Sequence, residues 1–196
     1  MQIYRRGLVW FVVLALLTLS GCGYNRLVRL DEGVSAAWAQ VENVYQRRMD
    51  LIPNLVETVK TYAAHEQDTF AAVTEARSQA GGVMNISEDL LNNPEAFARF
   101  QQTQDSLGSA LQRLLVVTEN YPELKANQNF LALQDQLEGT ENRIAVERMR
   151  FNEAVQAYNT LIRRFPQMIV ARITGFEAKP YFESVSGAEI APKVEF

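Results

Sequence analysis

The chain has one cysteine and one histidine among 196 residues, and each shortage removes a class of chemistry. A lone cysteine excludes an internal disulfide and any thiolate cluster for zinc or iron–sulfur. A lone histidine excludes the di-iron site of helical bundles, which takes a Glu-x-x-His step from each of two helices. His65-Glu66-Gln67-Asp68-Thr69 begins like a zinc-protease helix but has threonine where the second histidine is needed. His65 is therefore expected on the surface or at a helix end. No serine occupies a sharp strand-to-helix turn. Gly81-Gly82 lacks the lysine and the preceding strand of a phosphate loop. Paired acids such as Glu88-Asp89 fall where a solvated helix start is expected. No catalytic residue, cofactor or metal ligand is expected. Nineteen basic residues are scattered among 23 acidic ones, for a net charge of −4. That balance argues against nucleic acid as a partner, since binding it needs concentrated Lys and Arg. Persuasive strand alternation and compelling repeats are also missing, and only one long apolar run occurs.

That run is Gly7 to Leu19, 13 residues after Arg5-Arg6, and it closes on Leu19-Ser20-Gly21-Cys22. A basic start, a short apolar core and small residues before the sole cysteine resemble a bacterial lipoprotein signal with its lipobox. As a helix the core is roughly 20 Å long, short of the ~30 Å hydrocarbon slab, so a retained spanning helix is the strained alternative. An ordinary cleaved secretory signal is a second alternative, but it needs no cysteine at the boundary; under it, Cys22 is a chance residue. In the lipoprotein reading Cys22 is the lipid attachment site, through a thioether on sulfur and a further acyl chain on its freed amino group. Two chains suffice for stable anchoring, at ~0.8 kcal/mol per buried methylene. The expected address is the cell envelope, outside the cytoplasm, with Gly23 a weak pointer to an outer membrane. Removing residues 1–21 takes Arg5 and Arg6 and no acid, leaving 17 basic and 23 acidic side chains and a formal charge of −6. Such a charge offers no additional grip on anionic lipid, so the acyl anchor is expected to hold alone.

The remainder reads as long helices. Val41, Tyr45, Arg48, Ile52, Leu55, Val59, Tyr62, Glu66, Thr69 and Val73 alternate four and three, the spacing of one stripe on a helix. Leu27, Leu30, Val34 and Trp38 extend it backward. One element from Tyr24 to about Ala80 is expected, kinked at Pro53, or else split with Asp50 as a new cap; Gly81-Gly82 would end it. Asn93-Pro94-Glu95 is a helix start, and Phe97, Phe100, Leu107, Leu111, Leu114 and Leu115 give the next helix its apolar face. Leu137, Glu141, Ile144, Arg148, Phe151, Val155, Tyr158, Ile162 and Phe165 mark a last long helix, from about Pro122 to Phe165, with Gly139 expected at a close helix approach. A short structured segment around Met168–Phe176 and a tail loosening after Phe182 would follow. The fold class is all-α, an elongated antiparallel helical bundle with long outer helices behind an N-terminal signal or anchor. The expected divisions are 1–21 for the signal, 22–182 for the bundle and 183–196 for a flexible tail.

Charges interrupt both long stripes: Arg48 and Glu66 in the first, Glu141 and Arg148 in the last. In an antiparallel pair these meet as opposite charges, and Glu141 with Arg48, or with its neighbour Arg47, is the preferred pairing. Register control is the bland explanation and a polar site inside the bundle the functional one. Trp38, Tyr45, Tyr62, Phe151 and Tyr158 lie on the stripes and are expected in the core.

Several longer runs carry a resemblance. Tyr24-Asn25-Arg26-Leu27-Val28, Trp38, Gln46 through Val56 (QRRMDLIPNLV), Val59 through Glu66 (VKTYAAHE), Tyr121 through Ala126 (YPELKA), Leu133 through Ile144 (LQDQLEGTENRI) and Tyr158-Asn159 are similar, in order, to the LemA family domain. The resemblance implies an envelope-anchored antiparallel helical bundle with no established catalytic residues. Family members usually carry an N-terminal membrane helix, where this chain has what looks like a lipobox. The resemblance also hints at membrane proteins and envelope proteolysis as surroundings. The expected function is a membrane-tethered, non-catalytic scaffold or adaptor for envelope protein partners. A regulator or enzyme with a polar seam site, or a lipid or small-ligand carrier, is the alternative. Oligomeric state is left open.

Overall fold

The computed structural model describes residues 2–84 and 87–183, with side chains described for 23–84 and 90–183. Helix α1 runs Gln2–Tyr62, α2 Gln67–Met84, a 3-10 turn Ser87–Asn92, α3 Pro94–Thr118, α4 Pro122–Lys125, α5 Gln128–Ile162 and α6 Gln167–Thr174. The architecture is all-α, and no strand occurs among the described residues. Helices α1, α2, α3 and α5 alternate in direction as an antiparallel bundle, with α5 antiparallel to α1 along most of its length and α2 against α3. Four-three apolar stripes turned inward are what hold such helices together.

Local sequence accounts for most of the boundaries. Asn93 caps α3 by accepting from the Glu95 and Ala96 amides, both at 3.1 Å, with Pro94 in the first turn. Asn127 caps α5 by accepting from Phe130 N at 3.0 Å, and its Nδ2 donates to Tyr62 Oη at 2.9 Å, tying α5's start to α1's end. Gly175, at φ 78°, closes α6 in the left-handed conformation.

Helix α1 passes through Pro53 unbroken, as the continuous alternative expected. Four other expectations are corrected. The first helix does not reach Ala80: the chain reverses at Ala63–Glu66, where neither glycine nor proline marks the turn. Reversal lets Phe70, Val73 and Ala80 of α2 bury against the bundle, and that burial outweighs the good helix propensity of Ala63-Ala64. Gly81-Gly82 does not end α2. A Cβ on Gly81 would stand 3.3 Å from Met49 Cε, so this glycine permits close α1–α2 packing. The expected last helix is divided by the Asn127 cap into α4 and α5, and a Cβ on Gly139 would meet nothing within 4 Å, so no close approach occurs there.

Trp38, Tyr45, Phe151 and Tyr158 are buried, with Tyr62 half-buried. Two apolar clusters result. The first, nearer the N-terminal end of the bundle, gathers Trp38, Phe97, Phe100, Phe151 and Phe182. Ring centroids of the four phenylalanines lie 5.3–6.1 Å from Trp38. The second collects Ile52, Leu55, Val59, Leu107, Leu111, Leu114 and Phe130 farther along.

Phe182 reaches the first cluster from an extended strap, 176–183, that lies back along α5. Asn159 pairs with Lys179 through both backbone groups at 2.9 Å, and Asn152 does the same with Phe182 at 2.9 Å. Gln101 of α3 repeats the arrangement with Glu183, at 2.9 and 3.1 Å. Three side-chain amides thus act as the neighbouring strand an extended segment lacks, satisfying backbone groups that burial would leave unpaired. The expected tail, 183–196, lies outside the described residues apart from Glu183.

Replacing Asn152 and Asn159 together by alanine is expected to lower unfolding stability by about 2–4 kcal/mol. It should also expose 176–183 to limited proteolysis while helical ellipticity is unchanged. A strap as protease-resistant as in the parent chain would contradict the role given to the amides.

Candidate functional site

Between the two apolar clusters lies a polar layer built from α1, α3 and α5. Arg48, 3% exposed, is at its centre. Its Nη1 donates to both carboxylate oxygens of Glu141, at 3.1 and 3.2 Å. Its Nη2 donates to the Gln104 carbonyl at 3.2 Å and to Gln104 Oε1. The structure thus brings Arg48 and Glu141 together, and Arg47 is exposed. One step along, Arg148 Nη2 donates to Asp105 at 2.9 Å and Nε to Tyr45 Oη at 2.5 Å. Both guanidiniums stack on the Tyr45 ring, at 5.0 and 5.6 Å, and Arg148 also lies 4.8 Å from the Phe182 ring of the strap. Cations over aromatic faces gain from the ring quadrupole, more so when dry.

Two arginines face two carboxylates, so the layer is charge-balanced. Arg48 Nε and Gln104 Nε2 find no acceptor among the described residues. Leaving such groups unpaired costs about 1–3 kcal/mol each, so this layer is not optimised for stability. Glu66, the other charge in the first stripe, accepts from Tyr121 Oη at 3.1 Å near the α1–α2 turn, away from the layer. His65 is an exposed residue of that same turn. Cys22 falls within α1, but its side chain lies outside those described.

Sequence reasoning missed Gln104 and Asp105. A signal for Gln104 existed: Phe97, Phe100, Gln104, Leu107, Leu111 and Leu114 share one four-three stripe, and the glutamine is its polar interruption. Asp105 is one residue off that stripe and carries no comparable mark.

The layer offers little for bond-making chemistry. Arginine keeps its proton near neutral pH, and both guanidiniums are engaged with carboxylates. Burial raises the pKa of Tyr45 despite the neighbouring Arg148 and Arg48, so its phenol is a poor proton donor. Glu141, 41% exposed, borders a surface groove of about 380 Å³ between α3 and α5. Asp105 borders another of about 590 Å³ between α3 and the strap, beside Phe97, Gln101 and Tyr181. Among the described residues no group of three or more His, Cys, Asp and Glu is placed to hold a metal ion.

A long-helix bundle with a charged seam defines a structural class, and comparison with known proteins narrows it. The LemA family model matches residues 37–196, and the chain belongs to the LemA family. It is similar to magnetosome protein MamQ of Magnetospirillum gryphiswaldense, 29% identical over 174 residues, covering 81% of this chain and 64% of that protein. Magnetosome proteins MamQ 1 and MamQ 2 of Paramagnetospirillum magneticum are each 28% identical over 175 residues, covering 82% of this chain. The chain thus spans 64% of the length of these curated relatives.

Replacement of Glu141 by glutamine is expected to lower stability by about 1–2 kcal/mol, a modest loss because its partial exposure lets solvent screen the lost charge. Arg48→Met with Glu141→Leu should cost less than the two single changes summed. Additive losses in denaturant unfolding would contradict a direct coupling.

Burial, with smaller contributions from Asp31 and Glu177, pushes the Tyr158 phenol up to about 12. A phenol raised on folding stabilises fully below about pH 10, its unfolded value, and the contribution is lost as pH climbs through the folded value. Stability is therefore expected to fall between pH 10 and 12. Tyr45→Phe with Tyr158→Phe should flatten that decline, as read by unfolding at stepped alkaline pH. An equally steep decline in the double variant would contradict the assignment.

Proposed function

We propose that this protein is a membrane-tethered helical scaffold of the bacterial envelope, non-catalytic, engaging protein partners through its outer surfaces. The observation that carries this reading is the closed pairing of Arg48 with Glu141 and Arg148 with Asp105. Charges that could have formed an interior site are used on one another, and what is left to partners is surface. The Leu19-Ser20-Gly21-Cys22 pattern supports the tether, with Cys22 as the lipid attachment site. LemA membership supports the same surroundings, and the relatives are bacterial proteins named for the magnetosome. The groove between α3 and the strap, partly apolar and bordered by Phe97 and Tyr181, suits a partner segment.

One observation favours a second reading, a seam that regulates or catalyses: Glu141 is half in solvent at the mouth of the α3–α5 groove. The two differ in response to Glu141→Gln. A scaffold that remains folded keeps its neighbours and function, whereas a seam enzyme does not.

Proximity crosslinking in the native cell, for the parent chain and Cys22→Ser, tests the tether and the scaffold together. The expected outcome is a membrane-bound parent, a released variant, and a set of envelope proteins crosslinked only to the parent. A Cys22→Ser chain that stays in the membrane with the same neighbours would contradict lipid attachment.

A further inference from the structure

Helix α6 carries its apolar side outward. Gln167, Val170 and Ala171 turn toward the bundle, with Ala171 3% exposed. Met168, Ile169 and Ile173 are 50%, 49% and 80% exposed, and Phe165, just before the helix, is 78% exposed. At 100° per residue, Met168, Arg172, Ile169 and Ile173 occupy one outer arc of roughly 140°. A contiguous patch of this kind on a soluble surface marks an interaction site.

Its place in the fold says what it meets. A Cβ on Gly23 would stand 3.8 Å from Gln167 Cγ, and the Tyr24 and Phe176 rings are 6.1 Å apart. The start of α6 and the first residue of the strap after it therefore lie against the first turn of α1 whose side chains are described. On the same continuous helix Cys22, the lipid attachment site of the proposed tether, directly precedes Gly23. Charge is complementary to an anionic surface: Arg163, Arg164 and Arg172 beside the patch, and Arg26 and Arg29 on α1, are all exposed. Among the described side chains the acids of this end are fewer. Asp31 is paired with Lys179 at 3.4 Å, leaving Glu32 and Glu177 exposed.

We propose that α6 and Phe165 form a membrane-docking surface, seating Phe165, Met168, Ile169 and Ile173 in the interfacial zone of an anionic lipid bilayer. The arginines reach phosphate headgroups while their stems lie against apolar chains, the arrangement of interfacial helices with a basic border. This revises the expectation, drawn from the acidic total, that the anchor holds alone: the charge that matters is local. The proposal rests on the tether proposed above. It goes further in fixing which end of the bundle lies on the membrane and in orienting the grooves around α3.

The full chain with Ile173→Cys, labelled with an environment-sensitive fluorophore, tests it. The chain would be reconstituted into phosphatidylcholine vesicles with and without phosphatidylglycerol, and nitroxide-headgroup lipid would serve as quencher. Val116→Cys, at the far end of α3 and 68% exposed, is the reference, and the parent chain labelled in parallel is the blank for Cys22. The expected result is blue-shifted, quenchable emission at position 173, stronger with phosphatidylglycerol, and unshifted emission at 116. Arg163→Gln, Arg164→Gln and Arg172→Gln together should weaken the dependence on phosphatidylglycerol. Vesicle-bound protein with position 173 as water-exposed as 116 overturns the docking and leaves the tether standing. Protein that fails to float with the vesicles overturns the tether and the docking with it. A probe shielded in native membranes but water-exposed on protein-free vesicles assigns the patch to a protein partner and likewise overturns the proposal.

Discussion

A guanidinium held out of water between two apolar clusters is the constraint on which this bundle depends. Arg48 is nearly inaccessible, and the cost of burying its charge is offset only if Glu141 and Gln104 arrive at fixed positions. Those partners lie on α5 and α3, so one side chain of α1 sets how far two other helices slide along it. A shift by one heptad would keep apolar residues facing apolar residues, but it would leave the arginine buried without its carboxylate. The stripes supply the attraction and the charge supplies the register. Arg148 extends the constraint outward: it binds Asp105 and Tyr45 and lies over Phe182, coupling the layer to the strap.

Why some of this was legible in the sequence and some was not follows from the kind of interaction involved. Four-three stripes are periodic, so the long helices, their antiparallel pairing and the meeting of Arg48 with Glu141 could be anticipated from Val41 through Phe165. The α1–α2 reversal could not. The stripe runs on through Glu66, Thr69 and Val73, and the turn is driven by what α2 buries, not by a local breaker. Gly81-Gly82 misled for the complementary reason: Gly81 serves close packing on Met49, and a Cβ on Gly82 would meet nothing within 4 Å. The strap was invisible because its hold comes from three amides, Gln101, Asn152 and Asn159, each meeting backbone far away in sequence. Single amides on half-buried or buried helix faces leave no periodic trace.

The same contrast shapes the functional reading. LemA membership covers most of the chain, and the matched relatives are longer proteins of which this chain spans 64%. The bundle spends its interior charges on geometry, and in the proposed scaffold reading its ends and grooves are what partners meet. One end, with Tyr24 and α6, is adjacent to the proposed lipid attachment site at Cys22. The other, with the α1–α2 turn and α4, lies roughly 60 Å away along α1. In the proposed tethered state this rod would project its far end well beyond the headgroup layer, a reach suited to meeting other envelope proteins.

Replacement of the whole layer tests its role as a register device most directly. A chain with Arg48→Met, Gln104→Leu and Glu141→Leu would carry nitroxides at Asn43 on α1 and Ala145 on α5, both exposed. Pulsed electron resonance would then read the distance distribution between the two helices. The expected result is a protein at least as stable as the parent, but with a broadened or split distribution that includes a second population, from helices slid past one another by about 10 Å, one heptad of helix rise. A distribution as narrow as the parent's and centred at the same distance would contradict the account, since the apolar stripes would then fix the register unaided.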